Sequence, residues 1–133
     1  MIAKRLFAGA LVLVAIGAQG DGDTRLNYLL HCGGCHLPNG AGSPPNVPSL
    51  IDEPGRIAGV RGGRDFLIRV PGATQSQMTD AELAAVMNWI LDEFNARTLP
   101  KDFERYSEAD ARDGRARALA DPLKRRAEIW QGY

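Results

Sequence analysis

Residues 31–36 read HCGGCH and hold both cysteines and both histidines of the 133-residue chain. Whatever chemistry these six residues carry, the rest of the fold has to be arranged around it. A structural zinc ion needs four ligands placed tetrahedrally. Four soft ligands on one turn, with no second Cys/His pair elsewhere, cannot easily surround a single ion. A thiol–disulfide redox site of the thioredoxin kind expects its Cys-x-x-Cys within a βαβ unit, and no such pattern is visible. A plain Cys32–Cys35 disulfide would close a very small loop, with correspondingly little entropic gain.

The N-terminus bears on the compartment. MIAKR is a short basic segment, and LFAGALVLVAIGA is an apolar run of thirteen residues followed by small residues. Residues 1–20 read as a secretory signal peptide cut near Ala18–Gly20. The alternative is an uncleaved N-terminal anchor, although the run is short for a bilayer span. The expectation is an exported, periplasmic chain with no membrane span after cleavage, in an oxidising compartment. Lysine plus arginine equals aspartate plus glutamate, so no nucleic-acid footprint is present. Residues 21–95 are net acidic and residues 96–133 net basic, which reads as two solvated faces.

The pattern along the mature chain is helical. Thr24 can cap a short helix through RLNYLLHC, with Leu26, Leu29 and Leu30 at helical spacing and Tyr28 one turn before Cys32. LPNGAGSPPNVPSL, residues 37–50, has four prolines and two glycines and predicts an ordered loop. Residues 52–72 are glycine-rich, with a short helix from about Gly63 to Val70 ended by Pro71. The strongest helix runs from Thr79 to about Asn95. Thr79 and Glu82 make a capping box, and Leu83, Val86, Met87, Ile90, Leu91 and Phe94 form one apolar stripe. Residues 96–133 read as a charged helical extension in two pieces separated at Pro122, with Tyr106, Leu119, Leu123, Ile129 and Trp130 available to pack. No strand pattern is evident. The fold class expected is therefore all-α: a helical domain over 21–95 and a helical extension over 96–133.

So small a helical core is marginal unless something fills or staples it. Cys-x-x-Cys-His is the attachment signature of c-type haem. Two thiols can bond the two vinyl groups of one haem, His36 can present its imidazole to the iron, and Gly33 and Gly34 leave room beside the porphyrin. The haem would supply the missing apolar filler. Covalent haem fits the cluster, the export signal and the small core together.

With these segments in view, the chain resembles the class I c-type cytochromes over about residues 24–95. NYLLHCGGCH resembles their N-terminal helix and haem motif, VPSL their following loop, and MTDAELAAVMNWILDEF their C-terminal helix. The resemblance implies one haem c held by Cys32, Cys35 and His36, with the Pro48 carbonyl fixing the imidazole and Trp89 packed near Tyr28 where the two helices cross. It also implies a methionine as second axial ligand, usually in a Met-Pro segment before the last helix. Here that place reads Val70-Pro71, and valine cannot ligate iron. Met78 is the expected ligand, an open or weakly held sixth position is the next choice, and Met87, which reads as a core residue, comes after both.

The function implied is single-electron transfer between periplasmic redox proteins, a dehydrogenase as donor and a cytochrome or oxidase as acceptor, rather than enzymatic catalysis. The alternative is a ligand sensor or peroxidase-like enzyme with an open sixth site. A peroxidase wants a distal acid–base group, for which no third histidine exists; Arg56, Arg61, Arg64, Asp65 and Arg69 are the charged groups on offer nearby. The extension can clamp the haem domain or dock onto a larger redox enzyme.

Overall fold

A computed structural model describes residues 21–130 of the chain. The signal-peptide reading of residues 1–20 lies outside the described residues, as does the packing of the Trp130 side chain. Eight helices follow in order among the described residues: α1 (Asp21–His31), α2 (Gly33–His36), α3 (Glu53–Ala58), α4 (Gly63–Arg69), α5 (Pro71–Thr74), α6 (Asp80–Asn95), α7 (Glu108–Ala116) and α8 (Pro122–Trp130). The fold is all-α. Among the described residues the sole β pairing is an isolated bridge between Ser43 and Val47 inside the 37–50 loop.

α6 is the spine. Thr79 caps it as expected: its hydroxyl accepts from the Glu82 amide, and the Glu82 carboxylate accepts from the Thr79 amide. The apolar stripe buries Leu83, Val86, Ile90 and Leu91, while Met87 and Phe94 are half-buried. α1 crosses α6 through an aromatic trio. Tyr28 and Trp89 have ring centroids 5.0 Å apart, and Phe94 lies 5.6 Å from Tyr28 and 5.4 Å from Trp89, edge-on to both.

α1 differs from expectation in two ways. Thr24 is not its cap, because the helix already includes Asp21. Nor do all its leucines form the packed face: Leu29 packs on the core, but Leu26 and Leu30 are 53% and 68% exposed, whereas Tyr28 is completely buried. One large aromatic at the crossing fixes which side of the helix faces inward.

α4 ends at Arg69 rather than Val70, and Pro71 does more than stop it, since it also opens α5. Expectation missed α3, a six-residue helix whose EPGRIA sequence contains both a proline and a glycine. It is held from outside, by Asn95 at the end of α6. The Asn95 side chain, fully buried, accepts from the Gly55 amide and donates to the carbonyls of Leu50 and Ile90.

The C-terminal extension wraps back over α4, α5 and α6. Tyr106, Ala111 and Ile129 are buried in the common core. The Tyr106 hydroxyl donates to the Arg64 carbonyl, and the Asn88 side chain brackets the Tyr106 backbone from α6. Arg115 donates to the carbonyls of Thr74, Ser76 and Met78 and pairs with Asp80. Leu119 packs on the core as expected. Leu123 does not, at 68% exposure.

Candidate haem site

α1 and α2 are nearly continuous, broken at Cys32, and together they deliver the thiols and His36 to one end of the α1–α6 crossing. The Cys32 amide donates to the Tyr28 carbonyl and the His36 amide to that of Cys32, so the motif is wound as one tight turn. Cys32 and Cys35 are both free thiols, Cys32 half-buried and Cys35 exposed. Burial and the neighbouring Cys35 push the Cys32 thiol up to about 11. A thiol of that kind stays protonated at neutral pH, the opposite of a redox-exchange thiolate. Among the described residues, no group of three or more His, Cys, Asp or Glu side chains is placed to hold a metal ion by itself. Both observations disfavour the thiol-exchange and zinc readings.

His36 is oriented by the proline loop. Its Nδ1–H donates to the Pro48 carbonyl at 3.0 Å, which leaves Nε2 as the nitrogen available to a metal. Burial lowers its pKa, and the Pro48 bond opposes that; the imidazole is thus kept in the neutral, ligating form. The carbonyl is itself fixed. Gly42 has φ +66°, and a Cβ there would sit 2.5 Å from Pro48 O, a separation that no side chain tolerates. Gly42 also donates its amide to His36 O, so it ties the loop to the motif at two points. On the other side of the motif, the Tyr28 hydroxyl donates to Leu37 O at 2.6 Å.

Beside these groups lies an apolar crevice made of two adjacent cavities that share part of their lining. One cavity, about 180 Å³, is lined by Cys32, Cys35 and His36 together with Leu67, Val70, Ala73, Leu83, Val86, Met87 and Ile90. The other, about 370 Å³, shares His36, Leu50, Pro54, Leu67, Val70 and Gly72 with the first and continues to Ile57, Phe66 and α8. Two thiols at one edge, an oriented imidazole and an aliphatic slot beyond them fit a covalently attached haem.

Of the two methionines in the described residues, Met87 lines the smaller cavity and Met78 lines neither. Met78 is buried in the core, and its carbonyl accepts from Arg115. Val70, Gly72 and Ala73 border the crevice where the resemblance placed a methionine loop.

A cytochrome c-552 of Thermus thermophilus is 30% identical over an alignment covering 87% of this chain and 89% of the relative. The chain belongs to the c-type cytochromes. A second Thermus thermophilus cytochrome c-552 is 30% identical over 66% of this chain and 81% of its own length. No protein-family model matches the sequence.

In this cytochrome the residues named from the motif and the resemblance are brought together: Cys32, Cys35 and His36 on one turn, Pro48 on His36, and Tyr28 against Trp89. Met78 stands apart from them. Sequence reasoning missed Gly42, whose signal was a glycine inside a proline loop, and Asn95, which read as the end of a helix. It also missed the lining supplied by Pro122, Leu123 and Arg126. Only tertiary contact brings α8 to the crevice, and no local pattern marks it.

Proposed function

We propose that this protein is an exported monohaem cytochrome that carries single electrons between periplasmic redox proteins, from a dehydrogenase to a cytochrome or oxidase. The observation that carries the reading is the His36–Pro48 hydrogen bond at the lip of an apolar crevice also lined by both cysteines. Cys32 and Cys35 would anchor the haem and His36 would ligate its iron; when bound, the group supplies a one-electron iron couple. The protein's own residues hold and orient it. Pro48 fixes the imidazole, Tyr28 and Trp89 brace the turn that carries it, and the aliphatic lining excludes water, which favours the less charged reduced state.

The charged groups near the crevice in sequence support transfer over catalysis. Arg64 is committed to Asp110, and Arg69 to Asp65. Neither borders either cavity, so neither is placed as a distal acid–base group. Among the described residues no helix is long and apolar enough to cross a membrane.

A second reading has one specific observation behind it. Met78, the ligand expected from the sequence, does not line the crevice, and Val70 and Ala73 do. This favours Met87 or an open sixth position, the latter suited to binding a small ligand.

Visible spectra of the purified holoprotein separate these readings. A weak far-red band in the oxidised form, with no carbon monoxide binding when reduced, means a thioether sulfur holds the sixth position. Loss of that band in Met87→Ala but not Met78→Ala would then assign it. Absence of the band with ready carbon monoxide binding moves the open-site reading ahead, and absence of any haem spectrum sinks both.

A further inference from the structure

The larger cavity runs away from the cysteines: neither Cys32 nor Cys35 lines it, and its outer wall is α8. In haem the two vinyl carbons that thiols attack and the two propionates lie at opposite edges of the macrocycle. A haem anchored at Cys32 and Cys35 therefore directs its carboxylates toward the far end of the crevice. Burying a carboxylate there without a cationic partner would be costly.

Among the described residues, only one guanidinium or ammonium lines either cavity, that of Arg126 on α8. It pairs with Glu53 of α3, and the two side chains are 26% and 22% exposed. An arginine offers five N–H donors in a planar fork, more than one carboxylate can use. The other ionisable groups lining this cavity are Glu53 itself and His36, whose Nδ1–H is engaged by Pro48. On α8, Arg125 is paired with Glu128. Asn46 and Ser49 add neutral polar groups from the proline loop, and Leu123 adds apolar cover at the mouth.

We propose that Arg126, carried by the C-terminal extension, binds a haem propionate, so that the extension completes the cofactor site instead of being an appendage to it. The proposal rests on the haem reading above. Glu53 then acts as a second anion that shares and orients the guanidinium.

The test is resonance Raman of the holoprotein, read at the propionate bending band, which moves when hydrogen bonds to the carboxylates are lost. Arg126→Gln is expected to shift the band and Arg126→Lys to restore it in part. Glu53→Gln, which frees donors on Arg126, should leave the band in place or shift it the opposite way. Far-UV circular dichroism checks that each variant is folded; should Arg126→Gln fail to accumulate, Arg126→Lys against Glu53→Gln makes the same comparison. A Soret band with an unmoved propionate band in Arg126→Gln overturns the proposal alone. Equal shifts in Arg126→Gln and Glu53→Gln also overturn it, since they mark a merely structural ion pair. A wild-type protein with no Soret band overturns the haem reading as well.

Discussion

Single residues decide how tightly the site is held. Asn95 has no exposed surface and makes three hydrogen bonds that join α3, the end of the proline loop and α6. Asn95→Ala strands a buried amide and buried carbonyls, each costing about 1–3 kcal/mol. The expected loss is roughly 3 kcal/mol in denaturant unfolding, well beyond that of an ordinary surface change at a helix end. Gly42 works at the site itself. Gly42→Ala combines an unfavourable positive φ with a collision against Pro48 O. It is expected to weaken the grip on His36 and to cost about 1–3 kcal/mol, read as a lower melting temperature of the holoprotein. The turn that carries Cys32, Cys35 and His36 was legible in the sequence because its residues are near neighbours in the chain. Gly42 and Asn95 were not, since their roles exist only relative to a carbonyl or amide that is distant in the chain.

At the scale of elements, legibility followed the strength of local signals. α6 had a complete capping box and a long apolar stripe, and both are present. α3 had only a weak local signal, Glu53 and Pro54 in its first turn, and is held in place by Asn95. α7 shows local and tertiary preferences in conflict. Its Gly114 is a poor helix former, yet a Cβ there would lie 2.9 Å from the Ile68 carbonyl of α4. Gly114→Ala should therefore destabilise the protein by roughly 1–3 kcal/mol despite alanine's better propensity. An unfolding midpoint equal to or above wild type would show that α4 and α7 can separate without penalty.

At the scale of the whole molecule, the extension and the 21–95 region share one core through Tyr106, Ala111 and Ile129. Truncation after Asn95 is expected to lower the melting temperature sharply, because loss of these side chains would leave an open groove over α4 and α6. Arg64 on α4 clasps Asp110 on α7 through both carboxylate oxygens. That bond holds the Asp110 carboxyl well below the usual carboxylate range. A depressed folded pKa stabilises the fold at pH values above the unfolded pKa of about 4, and the gain disappears as pH falls through the folded value. The stability gap between wild type and Asp110→Asn should thus stay constant from neutral pH to about 5 and close below about 4. A gap that persists in acid would mean the pair contributes through packing and not charge.

Sequence alone determined the all-α class, the capped α6 and the placing of Cys32, Cys35 and His36 on one turn. Each of these rests on residues that are neighbours in the chain or recur at helical spacing, so local chemistry suffices to specify them. Tertiary structure decided which methionine borders the crevice, which glycine fixes the Pro48 carbonyl, and that α8 brings Arg126 to its far end. These depend on where distant segments come to rest when a shared core closes, and hydrophobic burial, which drives that closure, is non-directional and leaves no local pattern to read.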